Sequence, residues 1–299
     1  MMKRAASLAS GRLEQILRHV STSFNVRPLT KPVDSTFFSV AEPLTSDALR
    51  AISRQLEKYT PMTAAAIACD SRPAASVLIG LCNVDGVSGV LLEVRAKLRT
   101  HSGEISFPGG KADEIDANLV DAALREAFEE IGVRPSQVEI LGCLAQPTVS
   151  STGLTVHCYV GFIHPYEELS PGARKRTPSL VPNSHPVSIP SSIPLPSLSI
   201  NSLRPNPSEV QQVFQFPLSY LLSPLRLRPH NLLMRSSYWA IDVTDFIKPE
   251  LRGLLPNVPC SPNDGDEAGR IVDPAVPKIE VWGLTGHYMN VFMRRLMML

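Results

Sequence analysis

From residue 74 onward, two near-continuous apolar runs, ASVLIGLCNV and GVLLEVRA, flank a turn at Asp85-Gly86. Short apolar runs rich in branched side chains that meet at such a dipeptide predict two strands joined as a hairpin. A polar loop from Lys97 then leads into ISFPGG, where Pro108, Gly109 and Gly110 interrupt any regular element and force a bend. Over 117–131 the pattern changes period. Leu119, Ala122, Ala123, Leu124, Ala127, Phe128 and Ile131 recur at helical spacing, and Gly132 stands where a helix C-cap is wanted. VEILGCLAQPTVS and GLTVHCYVGFI follow as a second strand pair. Further on, NPSEVQQVFQFPLSYLLSP reads as a strand entering a short helix. SSYWAIDV and KIEVWGLTGHYMNVFMRRLMML supply more strands and a terminal helix. Strands flanking a few helices in mixed order predict an α/β (α+β) sandwich of one domain, over 60–299, without internal repeats.

Length and composition narrow the classes. The 299 residues with 43% hydrophobic content can bury a real core. No run approaches the 18 or so apolar residues of a membrane-spanning helix, and a net charge of +1 gives no global field for a nucleic-acid backbone. Membrane and nucleic-acid partners are therefore not expected. Five cysteines, Cys69, Cys82, Cys143, Cys158 and Cys260, form no C-x-x-C pair, which predicts buried thiols in a reducing compartment. Prolines concentrate in two places. A Pro/Ser-rich stretch at 165–207, carrying Arg174-Lys175-Arg176, has neither helical nor alternating period and is expected to be a mobile insertion. A second loop is expected at 254–277. Residues 1–28 hold Lys3, Arg4, Arg12, Arg18 and Arg27 against one acid, Glu14, while Leu13, Ile16, Leu17 and Val20 share a helical face. Two readings of residues 1–30 stand side by side: a mitochondrial transit peptide, or an amphipathic helix docking on the domain. The second would leave the protein in the cytosol. A peroxisomal address finds no S-K-L-type ending in Leu296-Met297-Met298-Leu299.

The candidate chemistry lies on the 117–131 helix. Glu126, Glu129 and Glu130 stand at i, i+3 and i+4, so their carboxylates share one face and repel one another. That pattern fits either a solvated acidic face or a site for a hard divalent cation, which prefers carboxylate oxygens and substrate phosphates. The glycine bend upstream lets a backbone carbonyl approach such a cation. Arg125 is placed to pair with Glu129 four residues on.

Two resemblances attach to these residues. Gly110 to Val133, GKADEIDANLVDAALREAFEEIGV, resembles the Nudix box, with Arg125, Glu126, Glu129, Glu130, Gly132 and Val133 in register. Asp116 replaces the first Glu, one position early. Leu91 to Gly110, LLEVRAKLRTHSGEISFPGG, is similar to the signature of the coenzyme A diphosphatase branch, through Arg95, Leu98, His101, Gly103, Phe107, Pro108, Gly109 and Gly110. Glu93 and Ala96 stand where Thr and Ser are usual. Asn206-Pro207, Glu209-Val210, Val213-Phe214, Pro217-Leu218 and Val281-Trp282-Gly283-Leu284-Thr285 resemble the same branch. The resemblance implies a Nudix-type α/β/α sandwich with a mixed sheet and a catalytic loop-helix-loop. It implies Mg²⁺ or Mn²⁺ held by Glu126, Glu130, Glu129 and the Gly110 carbonyl, with Glu129, Glu130 and Arg125 catalytic and Arg95, His101 and Phe107 at the substrate. The implied reaction is hydrolysis of coenzyme A or acyl-coenzyme A to 3′,5′-ADP and a 4′-phosphopantetheine species. His101 equally suits a loop-ordering hydrogen bond, and Phe107 the shaping of the bend. The departures at Glu93 and Ala96 leave room for a Nudix hydrolase of another nucleoside diphosphate derivative, such as NADH or a nucleotide sugar; a non-catalytic Nudix-like nucleotide-binding module is a separate alternative, against which the retained Glu126, Glu129 and Glu130 count. The oligomeric state is not legible.

Overall fold

The structure, a computed structural model, describes residues 38–63, 73–96, 103–166, 192–232, 236–253, 255 and 278–296. The hairpin forms as its turn dipeptide predicts. Strands β1 (Ala74–Val84) and β2 (Val87–Arg95) pair antiparallel from Val84↔Val87 to Gly80↔Leu91. Asp85 and Gly86 both take positive φ, 49° and 77°, as the tight turns that match strand twist require. β3 (Ile105–Ser106) pairs with β2, and β4 (Gly109–Lys111) with β1. β5 (Val138–Cys143), β6 (Thr148–Val149) and β7 (Thr155–Ile163) extend the sheet. β7 runs parallel to β1, which makes the sheet mixed. β8 (Val210–Pro217) completes eight strands on the outer side of β2.

The period of two divides this sheet into faces. Ala75, Ile79 and Leu81 of β1 join Val90, Leu92 and Val94 of β2 and Val156, Cys158, Val160 and Phe162 of β7 in one core. Ala74, Leu78 and Cys82 join Leu91, Tyr159 and Ile163 in the other. Helix α1 (Ser46–Tyr59) brings Leu49, Ile52 and Leu56 to the first face, and α2 (Leu119–Ile131) covers the second. A smaller antiparallel sheet of β9 (Leu227–Leu232), β10 (Ser236–Asp242) and β11 (Glu280–Val281) follows, with one-turn α3 (Pro249–Arg252) between β10 and β11. Helix α4 (Gly283–Arg295) then adds Tyr288, Met289, Phe292 and Met293 to the α1 face. The layers are α/β/α, as expected.

Three expectations change. The expected domain start at residue 60 omits α1, whose leucines are fully buried and whose N-cap Thr45 accepts a hydrogen bond from the Ala48 amide. The expected mobile insertion at 165–207 is held to the domain over 192–207: Leu198 and Leu203 are buried, and the Asn83 side chain donates to the Leu44 and Leu195 carbonyls while accepting from the Leu44 amide. Buried backbone groups satisfied in this way fix a segment whose regular structure is limited to one 3-10 turn at Ile200–Ser202 and a bridge from Pro194 to Thr45. Phe128, expected on the apolar stripe of α2, is half exposed, since Leu124, Ala127 and Ile131 fill the arc facing the sheet. Residues 1–30, the Arg174-Lys175-Arg176 cluster and all of the 254–277 loop but Leu255 lie outside the described residues. Cys82, Cys143 and Cys158 are free and buried, and burial pushes each thiol up, Cys82 to about 12.

Candidate active site

Helix α2 is fixed at both ends by its own sequence. Asn118 accepts hydrogen bonds from the Val120 and Asp121 amides at 2.9 and 3.0 Å, and Gly132 ends the helix at φ 75° in the left-handed region. One buried flank packs on the sheet, which turns the Arg125–Glu130 run toward the β3–β4 bend. Arg125 gathers this surface. Its Nε and Nη2 donate to the two Asp116 carboxylate oxygens at 2.9 and 3.0 Å, and Nη1 donates to Glu126 at 3.0 Å and to Glu129 at 2.9 Å. A further bond runs from Nη2 to the Lys111 carbonyl at 3.0 Å. The bidentate pair with Asp116 raises the Arg125 pKa further, so the guanidinium stays charged. Burial works to raise Asp116, but the Arg125 fork and the Asp113 amide bring it below the ordinary carboxylate range. Asp116, one residue out of register in sequence, thereby ties the loop to the helix.

Glu130 points inward. It is 4% exposed, and its Oε2 accepts a 2.7 Å hydrogen bond from the Gly109 amide. Gly109 has φ 153°, and a Cβ there would stand 2.3 Å from the Ser76 carbonyl oxygen, so only glycine fits this close strand crossing. Gly110 lies opposite Ser76 in the β1–β4 ladder, and a Cβ on it would fall 2.5 Å from the Glu126 carboxyl carbon. Glu126 therefore rests directly over the Gly110 backbone. Glu129 is half exposed and tied to Arg125, apart from the buried pair.

From the sheet side come Glu93 and Arg95, alternate residues of β2 that face α2. Arg95 Nη1 lies 3.6 Å from Glu93 and 3.5 Å from Glu130. Ser106, directly across the β2–β3 ladder, donates to Glu93 Oε1 at 3.0 Å. Burial pushes the carboxyls of Glu130, Glu93 and Glu126 above their usual range. For Glu130 the Glu93 charge adds to this, and the Gly109 amide and Arg95 offset part of it. Glu209, just before β8, adds its negative field to Glu93 and Glu126.

This chemistry fits a hard dication. Among the described residues Glu93 Oε2 is buried without a hydrogen-bond partner, and the charged forms of three carboxyls, which burial disfavours, are what a bound cation would stabilise. Among the described residues no three His, Cys, Asp or Glu converge to hold a metal by themselves. Two carboxylates completed by substrate phosphates are the usual Mg²⁺ arrangement, and Glu126 and Glu130 at the Gly110 backbone match it. Of the expected substrate contacts, Arg95 reaches the site, His101 lies outside the described residues, and Phe107 is not available: at 3% exposure its ring belongs to the core with Ile105. It shapes the bend. Glu93, Ser106 and Glu209 were not expected as site residues. The available signal was one carboxylate inside the otherwise apolar run LLEV.

Residues 71–176 match the family model described as NUDIX domain. The uncharacterized Nudix hydrolase NudL of Citrobacter koseri is 43% identical over 95 residues, 32% of this chain and 49% of that protein. The human mitochondrial coenzyme A diphosphatase NUDT8 is 34% identical over 155 residues, 51% of this chain and 52% of that one. The chain spans about half the length of these curated relatives. The Nudix domain of Shewanella oneidensis NrtR, solved with ADP ribose, aligns at 18% identity and a TM-score of 0.33 over 52% of this chain and 78% of that one. Residues 71–176 thus match a Nudix domain, and the α/β/α sandwich with a mixed sheet is consistent with the Nudix fold. Among the described residues no helix is long and apolar enough to cross a membrane.

Proposed function

We propose that this chain is a divalent-metal-dependent hydrolase of the diphosphate in coenzyme A and its acyl derivatives, releasing 3′,5′-ADP and a 4′-phosphopantetheine species. The observation that carries the reading is the convergence of Glu126 and Glu130 on the Gly109-Gly110 bend, with Arg95 beside them as the partly exposed cation. Mg²⁺ or Mn²⁺, held by Glu126 and Glu130 with Gly110 alongside, supplies charge that offsets the negative diphosphate in the transition state. Arg95 offers a guanidinium to the phosphate oxygens. Arg125, gripping Asp116, Glu126 and Glu129 at once, keeps the helix carboxylates oriented before substrate arrives. Glu129, the most exposed of the three glutamates, and Glu130 are the candidate catalytic carboxylates.

The coenzyme A assignment is supported by the LLEVRAKLRTHSGEISFPGG resemblance and by the partial likeness to the human diphosphatase. A second reading, another nucleoside diphosphate derivative such as NADH, is favoured by Glu93, a buried charge where the resembled signature has Thr. Product analysis with Mg²⁺ on coenzyme A, acyl-coenzyme A, NADH and ADP-ribose separates them. Release of 3′,5′-ADP from the coenzyme A substrates alone supports the first, and turnover of NADH alone the second. The acid-poor residues 1–28 support a mitochondrial address, which a fusion of residues 1–30 to a reporter tests: import is expected, and a diffuse cytosolic signal contradicts it.

A further inference from the structure

One carboxylate of the site is neither a proposed metal ligand nor a proposed catalytic group. Glu93 is fully buried in β2 between the apolar Leu92 and Val94, and its Oε1 takes the Ser106 hydroxyl at 3.0 Å and faces Arg95 Nη1 at 3.6 Å. Its Oε2 has no hydrogen-bond partner among the described residues. The same Arg95 nitrogen stands 3.5 Å from Glu130, and Arg95 Nε is itself buried with no hydrogen-bond partner among the described residues. A charge buried this deeply is unfavourable unless a fixed opposite charge answers it. Here one guanidinium nitrogen is shared by two carboxylates of unequal freedom. Glu130 is on the helix, accepts from the Gly109 amide and is a cation ligand in the proposed function; Glu93 is on the sheet and anchored by Ser106.

We propose that Glu93 is a positioning residue: it fixes the Arg95 guanidinium on the sheet side of the cleft, so that Arg95 meets a diphosphate in a set orientation when Glu130 turns to its own ligand. The inference rests on the reading of Arg95 as a phosphate contact. Without Glu93, Arg95 has Glu130 as its one charged partner among the described residues, follows that side chain, and competes with the substrate for it. A threonine at 93 is too short to span the 3.6 Å gap that the glutamate leaves.

The test is a double-mutant cycle read by calorimetric titration of ADP in Mg²⁺, which reports diphosphate binding whether or not turnover occurs. Glu93→Gln keeps the shape of the side chain. It should weaken ADP binding about tenfold when Arg95 is present and less than about twofold in the Arg95→Gln background, the coupling expected of contacting charges. Glu93→Asp, shorter but charged, should recover part of the loss. With coenzyme A as substrate, Glu93→Gln should raise KM by a similar factor and change kcat little. Wild-type affinity in Glu93→Gln, the same loss with and without Arg95, or no ADP binding by the wild-type protein would each overturn the proposal. Absence of wild-type coenzyme A turnover, with the ADP cycle intact, would instead count against the substrate reading alone.

Discussion

Two neighbouring glycines separate function from fold. At Gly110 an added methyl would lie 2.5 Å from the Glu126 carboxyl carbon and 2.5 and 2.6 Å from its oxygens. Ordinary contact needs roughly 3.5 Å, so the carboxylate must retreat by about 1 Å. It is the far end of a side chain 17% exposed, so it can swing outward. The loss of its Arg125 pairing, about 1 kcal/mol, is offset by the roughly 0.4–1 kcal/mol that Gly→Ala contributes through the unfolded chain. Gly110→Ala should therefore leave Tm within a few degrees and lower kcat on the order of 10²-fold, as a 1 Å displacement of a site group does. Gly109→Ala is the contrast. Its methyl would meet backbone, the Ser76 oxygen at 2.3 Å and Val77 Cα at 2.6 Å, at a φ of 153°. No side-chain rotation relieves that, and overpacking with backbone strain costs about 2–5 kcal/mol, roughly 5–15 °C in Tm. Thermal melts and Mg²⁺-dependent turnover of both variants decide it. Wild-type turnover in Gly110→Ala, or equal melting losses in the two, would refute the placement of Glu126 over Gly110 as part of the metal site.

Further predictions follow from the ion pairs. Arg125→Lys keeps the charge but loses the fork on Asp116, and should destabilise by about 1–3 kcal/mol and slow turnover; an unchanged urea midpoint would contradict the hub role. In EDTA, burial holds the Glu130 carboxyl above its usual range, so the folded protein keeps a proton that the unfolded chain releases near the ordinary glutamate value of 4.5. The folded state then binds more protons, and stability falls as pH rises above that value, by at most about 1.4 kcal/mol per pH unit. Urea midpoints between pH 6 and 8 should decline in the wild type and decline less in Glu130→Gln; equal slopes would show that another group carries the effect. His287 has the opposite sign. Burial lowers its pKa below the ordinary histidine value of 6.5, so the unfolded chain binds the extra proton and stability is lost as pH falls below that value. His287→Gln should flatten this acid limb, and an unaltered limb would assign it elsewhere.

What was legible in the sequence was local. The Asp85-Gly86 turn, the α2 helix with its Gly132 cap and the Arg125–Glu129 pair each depend on residues within a few positions of one another, and all are present. Helix α1 was missed because SDALRAISRQLEKY is mostly polar, and its few apolar positions gain their meaning from β5 and α4, far along the chain. β9 was hidden by Pro229, tolerated because β9 is an edge strand. Residues 192–207 read as loop from their Pro and Ser content, yet Asn83, over a hundred residues earlier, satisfies the Leu195 carbonyl and holds them in place. At the site, the helix carboxylates announced themselves by spacing. Glu93 did not, because strand pairing with Ser106 and the approach of Arg95 to Glu130 are long-range facts.

The central claim is that Glu126 and Glu130 on the Gly-Gly bend make a metal-dependent diphosphate hydrolase. Hydrolysis of coenzyme A by purified protein, with and without Mg²⁺, beside Glu130→Gln, tests it most directly. The account predicts 3′,5′-ADP from the wild type in Mg²⁺ alone and loss of turnover in a Glu130→Gln variant that still melts cooperatively. Wild-type turnover by folded Glu130→Gln, or turnover indifferent to divalent metal, would contradict it.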